Sequence, residues 1–425
     1  MTVKQDTLEW NWAGNYSYGA TEIHFPTTLE ELRSLVAGAS AVRALGSRHS
    51  FNSLADSDGV LVSLTALEPN IRIDAEAGTV TASAGTTYGV LAAELKRQGY
   101  ALHNLASLPH ISIAGAIATA THGSGDGNGN LATAVVGLSF VDAAGGLHTV
   151  SRQQTPDFAA YVVGLGMLGI LTEVTLRIEA DFMVAQHVYT DLPWDAVLEN
   201  FDDLTSRAYS VSLFTDWRGD TVGQAWFKQR QGDGRTEEYP ASLLGGTAAT
   251  AQMHPLPGVS AVNCTPQLGV AGNSSDRLSH FRMDYLPSSG NEIQSEYLLP
   301  REHARAAITA MRQLSAIISP LLLVAEIRTI AADDLWLSPN YGRDGIGLHF
   351  TWRLDQGGVE AVLPLIEEAL APFDARPHWG KVFSSEAGDL APLYPKFDQF
   401  TALAKSLDPT GKFRNDFLNR TVLGQ

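Results

Sequence analysis

One cysteine, Cys264, stands in 425 residues. It has no partner for an internal disulfide, so the fold does not depend on an oxidising compartment. Its simplest reading is a small core residue. Basic side chains are also scarce, 29 Lys and Arg against 46 Asp and Glu, for a net charge of −17. That balance opposes binding to nucleic acid and to anionic membranes, and leaves a small molecule as the natural partner. No run approaches the ~18 consecutive apolar residues of a membrane span. The stretch from Met1 to Trp12 has no apolar centre of a secretory leader, so the expectation is a cytoplasmic protein. No internal repeat is visible. No pair of histidines has metal-ligand spacing, so no metal is expected; His103, His254 and His280 carry no partner pattern.

What is present is an ordinary globular composition, 44% hydrophobic and 18% charged. The chain is too long for one simple core, and two domains are expected. Ala44-Leu-Gly-Ser-Arg-His-Ser-Phe-Asn52 follows a β-branched run and reads as a strand entering a Gly/Ser loop. Consecutive backbone N–H groups in such a loop form a concave anion site, with Gly46 allowing close approach and Ser47 and Ser50 adding hydroxyls. His49 sits in its middle. Alone, the stretch also fits a surface turn with a solvent-facing histidine; the other reading is a loop wrapping a pyrophosphate, with His49 bonded to the cofactor.

Around this loop, strands and helices intermix. Thr21–Phe25 reads as a strand, and Thr28-Leu-Glu-Glu31 as a capping box opening a helix to about Gly38. Gly59–Leu64 is a strand. Ile71–Ala75 with Thr79–Ala84 and Ala134–Asp142 with Leu147–Val150 are hairpins. Gly89–Arg97 is an amphipathic helix and Pro156–Val163 a short one. An α+β class follows. From Asn104 to Asn130 the chain is dense in Gly, Ala, Ser and Thr, without Lys or Arg. The interleaved Leu108, Ile111, Ile113 and Ile117 argue against a flexible linker and for backbone laid on a flat ligand. Gly164-Leu-Gly-Met-Leu-Gly169 matches G-x-G-x-x-G, but the β-branched Ile170–Ile178 follows it instead of a helix, so a dinucleotide turn is rejected.

After Asp181 the strands lengthen and gain aromatics: Met183–Thr190, Tyr209–Trp217, Gln224–Lys228. Helices are expected over Trp194–Thr205 and Arg301–Ile317; residues 232–288 receive no assignment. In the strand Leu322–Ile330, alternation puts Glu326 and Arg328 on one face. In Gly347–Arg353 it groups His349, Thr351 and Arg353. Arg376-Pro-His-Trp-Gly-Lys381 adds a further cation. Singly, Glu326 and Arg328 fit an exposed salt bridge and His349 a satisfied core histidine. Together they offer acceptors and donors suited to a polyhydroxylated ligand.

Gly46–Phe51, the Gly115–Asn130 stretch and Leu407-Asp-Pro-Thr-Gly-Lys-Phe413 with Asn415 resemble the FAD-binding fold of the vanillyl-alcohol-oxidase type. Arg376–Lys381 is similar to its sugar and lactone oxidase branch. Ala106–Ser112, Tyr209–Trp217 and Glu326–Thr329 resemble the bacterial alditol (xylitol) oxidases. One departure is Arg48, where that family has Gly. The resemblance implies an FAD-binding domain over 1–180 and an α+β substrate (cap) domain with an antiparallel sheet over 181–375. It implies that a C-terminal segment, 376–425, returns to the first domain. It implies FAD joined covalently to His49, with contacts from Ala44, Leu45, Gly46, Ser47, Arg48, Ser50, Ser107, Ser112, Gly115, Thr119, Ala120, Thr121, His122, Ile170 and His378. Substrate contacts fall to Ser107, Glu326, Arg328, Thr351 and Lys381, with His349 alongside.

The implied reaction converts the terminal CH–OH of an alditol to an aldose, by hydride transfer to the flavin and reduction of O₂ to H₂O₂. Arg328 and Lys381 would stabilise negative charge, and either His349 or neutral Lys381 would accept the hydroxyl proton. Glu326 and Ser107 would align neighbouring hydroxyls. An aldonolactone oxidase or dehydrogenase is the alternative. A monomer is expected.

Overall fold

Short strands pair early in the chain and long ones later, and the computed structural model shows what each set is for. It describes the backbone of residues 2–4, and residues 10–234, 238–285 and 292–425. Half of the stretch expected to lack a leader, residues 1 and 5–9, therefore falls outside the described residues.

Glu22–His24, Val60–Val62 and Val42–Ala44 form a small parallel sheet, with Thr2–Lys4 antiparallel at its edge. Parallel pairing requires a crossover, and the helix Leu29–Gly38 supplies it. Thr28 Oγ1 accepts from Glu31 N–H at its start, while the Glu31 carboxylate accepts from Thr27 N–H. The two predicted hairpins join through the strand Ile170–Arg177 into a five-stranded antiparallel sheet. Because Gly164–Gly169 leads into that strand, the phosphate-binding helix of a dinucleotide turn is absent there.

The larger sheet has ten strands among the described residues. Its centre runs Thr221–Arg230, Ser210–Thr215, Leu322–Ile330, Gly345–Arg353, Glu292–Pro300, all antiparallel. The helices Ala304–Gln313 and Gln356–Leu370 bury Ala307, Ile308, Met311, Val359, Leu363 and Ile366 in one core with Ile327, Leu348 and Ile293. The strand residues between those apolar ones point the other way, and they are polar.

Two helices differ from the sequence expectation. Trp194–Thr205 divides into Trp194–Glu199 and Phe201–Ser206 at Asn200, whose amide donates to Ala196 O and competes with the helix ladder. Arg301–Ile317 is a 3₁₀ turn followed by Ala304–Gln313 and Ser315–Ile318. Residues 376–377 add a last short strand beside Glu292–Pro300. The chain then crosses to the small sheet. There Lys412 Nζ donates to Val36, Ala37 and Ala143 carbonyls, and Asn415 Nδ2 to those of Ser53, Leu54 and Asp56.

Candidate active site between the small and large sheets

The strand Val42–Ala44 ends in a loop whose shape is set by Ser112. Ser112 N–H donates to Ser47 Oγ (3.0 Å). A Cβ at Gly46 would lie 2.5 Å from Ser112 Oγ, so a side chain there would push the Ser112 hydroxyl out of this contact. Arg48 holds φ +62°, the left-handed region. Trp12 N–H donates to Arg48 O, and the Trp12 ring stacks on His49 with centroids 5.0 Å apart. Neither nitrogen of His49 has a hydrogen-bond partner, and burial pushes its imidazole down to about 4. At neutral pH it is an uncharged nucleophile held in plane by an indole.

His49 faces a cavity of about 380 Å³ that runs from this loop to the polar face of the large sheet. Its lining includes residues 44–50, Ser107, Ser112, Gly115, Thr119, Thr121, His122 and His378. It also includes Glu326, Arg328, His349, Thr351 and Lys381. Two expected contacts stand apart from this lining. Ala120 and Ile170 are fully packed in hydrophobic clusters, 2% and 0% exposed, and do not line the cavity. At the second position alternation turns Ile170 inward, and Gly169 and Leu171 meet the cavity instead. Arg353, grouped with His349 by periodicity, lies exposed at the strand end.

The organising residue at the far end is Glu296, which the sequence reading passed over. Fully buried, its carboxylate accepts from Lys381 Nζ (2.6 Å) and Arg328 Nη2 (2.6 Å), with His122 Nε2 at 3.2 Å. Gly347 makes room, since a Cβ there would lie 3.1 Å from Glu296 Oε1. Burial opposes ionisation of Glu296, but the charges of Lys381 and Arg328 outweigh it and hold the carboxyl well below its usual range. Burial likewise lowers Lys381, against the pull of Glu296. Lys381 Nζ also meets His349 Nδ1 at 2.8 Å, and His349 Nε2 meets Thr351 Oγ1 at 3.0 Å. Burial and Lys381 keep His349 neutral. An ammonium at Lys381 makes Nδ1 an acceptor, so the His349 proton sits on Nε2 and is donated to Thr351.

His280 and His254, expected to stand alone, are both in the site. His280 Nε2 lies 2.8 Å from Glu326 Oε1, and both histidines line the cavity. Their segment had no periodicity to read. Glu296 had a signal: Glu292-Ile-Gln-Ser-Glu-Tyr-Leu-Leu299 alternates, and Glu292, Gln294 and Glu296 all reach the cavity.

The cavity thus has the Gly/Ser loop with an orphaned imidazole at one end and paired cations and carboxylates at the other. Small residues wall the passage between: Gly115, Gly164, Gly166 and Gly169. A flat, pyrophosphate-bearing cofactor fits such a space, and FAD is one. Among the described residues, no three His, Cys, Asp or Glu side chains are grouped to hold a metal ion.

Comparison with known proteins agrees. Residues 21–151 match the family model described as FAD binding domain, and residues 266–421 match that of D-arabinono-1,4-lactone oxidase. The chain is 46% identical to an alditol oxidase from a Streptomyces species, over 97% of this chain and 99% of the relative. It is 30% identical to an L-gulono-1,4-lactone dehydrogenase from Mycobacterium tuberculosis, covering 97% and 98%. A cholesterol oxidase from Brevibacterium sterolicum shares the fold at a TM-score of 0.79 and 16% identity, over 99% of this chain and 97% of that one. The chain belongs to the alditol oxidase family, FAD-dependent oxidoreductases of the sugar and lactone oxidase branch of the vanillyl-alcohol-oxidase type.

Proposed function

We propose that this enzyme oxidises the terminal CH–OH of an alditol such as xylitol or sorbitol to the aldose, with O₂ reduced to H₂O₂. One observation carries the reading. Lys381, Arg328, Glu326 and Thr351 line the same cavity as the His49 loop, so hydroxyl-binding groups share one space with the cofactor cradle. FAD, when bound, supplies the electron acceptor for the carbon–hydrogen bond. His49 is the point at which we infer it is attached: neutral, half-buried, with both nitrogens unpartnered. Ser107, Ser112 and the N–H groups of residues 46–50 are its polar contacts in this reading.

The chain's own residues do the rest. Arg328 stabilises negative charge on the substrate oxygen. Lys381 in its neutral form takes the hydroxyl proton. Burial makes that form accessible, and Glu296 stabilises the ammonium that results. His349, neutral and hydrogen-bonded to Lys381 Nζ through Nδ1, is the alternative acceptor of that proton. Glu326 and Ser107 hold neighbouring hydroxyls so that the reacting C–H is aligned. The same reading includes a cytoplasmic monomer; no helix among the described residues is long and apolar enough to cross a membrane.

The match to the lactone oxidase model over 266–421 favours a second reading, a ring lactone as substrate. Anaerobic mixing decides between them. Xylitol or sorbitol should bleach the flavin and gulono- or galactonolactone should not; the reverse result replaces alditol by lactone. Lys381→Ala should slow that bleaching by about 10²-fold or more, and an unchanged rate removes Lys381 from the reacting shell.

A further inference from the structure

Behind Glu326, away from the cavity, stands a buried cation that the mechanism does not use. Lys228, in the strand Thr221–Arg230, is 1% exposed. Its Nζ donates to Leu278 O, to Ser279 O (2.9 Å) and to His280 Nδ1 (3.1 Å). An ammonium has three N–H groups, and all three are used here. Nδ1 of His280 is therefore an acceptor, and the ring proton sits on Nε2, 2.8 Å from Glu326 Oε1. Phe214 and Trp226 hold the imidazole edge-on, with centroids 5.5 and 5.3 Å away. Oε1 of Glu326 is thereby occupied. Oε2, with Arg328 Nε at 3.6 Å, is left to accept from a ligand.

We propose that Lys228 and His280 are positioning residues that fix the proton polarity of Glu326, so that polyol binding weakens when Lys228 gives up its proton. The inference rests on the polyol reading of the cavity. A neutral amine keeps two N–H groups for the two carbonyls and offers a lone pair to His280. The imidazole then carries its proton on Nδ1 and turns a lone pair on Nε2 toward the Glu326 carboxylate. One proton leaves Lys228 for solvent, and the imidazole only changes tautomer. Two acceptors now face each other at hydrogen-bond distance, and Glu326 must turn away.

The other groups facing this chain hold their charge. Around Lys228 these are Glu326, Cys264 and Arg277. Around His280 they are Lys228, Glu326 and Arg328, and around Glu326 they are Arg328, His280 and His349. Burial pushes the Cys264 thiol up to about 12 and the His280 imidazole down to about 4, so neither changes charge near neutrality. Burial, opposed by Glu326, brings Lys228 down to about 7, so it is the member that titrates there.

Anaerobic stopped-flow reduction by xylitol separates apparent Kd from the limiting rate. Between about pH 6 and about pH 8.5, wild-type Kd should rise about tenfold, the worth of one charged hydrogen bond. His280→Gln should bind as wild type does at low pH and show no pH limb, because its amide donates to Glu326 and accepts from Lys228 without a tautomer. His280→Leu should bind weakly throughout. A flat wild-type Kd, a retained limb in His280→Gln, or equal affinity of the Gln and Leu variants overturns the proposal. A readout without substrate stands beside these. In ¹⁵N-histidine-labelled holoenzyme, the signals lost in His280→Gln should report Nε2–H at low pH and Nδ1–H above neutrality. A single tautomer throughout overturns the relay even if no polyol reduces the flavin, whereas the absence of reduction by any polyol counts against the substrate reading alone.

Discussion

Arg48 holds φ +62°, in the left-handed region that favours glycine. A side chain in the left-handed region costs about 1–2 kcal/mol, and a β-branched one costs more. The loop keeps the glycine geometry because Trp12 N–H holds Arg48 O and Ser112 holds Ser47 on either side. Arg48→Val should therefore unfold at lower denaturant than Arg48→Gly, by about 1–2 kcal/mol, with the flavin still attached in the Gly variant. Equal stability of the two would mean that the loop relaxes out of this conformation. The loop was readable from the sequence because its chemistry is local: small residues, two hydroxyls and one histidine within nine positions. Glu296 was not. Its partners Arg328, Lys381 and His122 come from positions 32, 85 and 174 residues away, and no local pattern announces a carboxylate that will meet two cations. His280 was opaque for the same reason, since both its partners, Lys228 and Glu326, lie on other strands.

At the scale of elements, period two carried the reading of the large sheet. Glu326 pairs in register with His349, and His349 with Glu296, so three strands present one polar face. Two of these strands were recognised; the third follows the unassigned region and was passed over despite the same alternation. Helix ends were the least readable, because a break such as that at Asn200 is decided by a single side-chain hydrogen bond against the ladder. One connection between elements has a direct consequence. Asn52 Nδ2 donates to Trp379 O (2.9 Å) and Lys381 O (2.7 Å), and Phe51 N–H donates to Gly380 O (2.8 Å). The His49 loop is thus stapled to the turn that carries Lys381. Asn52 itself does not line the cavity. Asn52→Ala should leave two carbonyls unsatisfied, cost about 1–3 kcal/mol, and slow flavin reduction about tenfold or more by loosening Lys381. Steady-state flavin content should be unchanged. A variant that is destabilised but reduced at the wild-type rate would show that Lys381 is held by Glu296 alone.

For the whole molecule, the cavity lies between the small sheets and the large one, so whatever fills it is packed on both. A ligand that binds only the folded protein adds stability that grows with its free concentration, about 2.7 kcal/mol at a hundredfold excess over Kd. A covalent bond removes that dependence, because the ligand cannot be diluted away. Wild-type melting temperature should then be indifferent to added FAD and to dilution, and flavin fluorescence should follow the polypeptide through denaturation. His49→Ala keeps the loop, the glycines and Ser112, so it should still bind FAD but release it on unfolding. Its melting temperature should climb as FAD is added, with the logarithmic dependence that linkage requires. Flavin that stays with the denatured His49→Ala chain would place the attachment at another residue. A His49→Ala protein whose melting temperature ignores FAD would mean that the cavity does not hold the cofactor in the way its lining suggests.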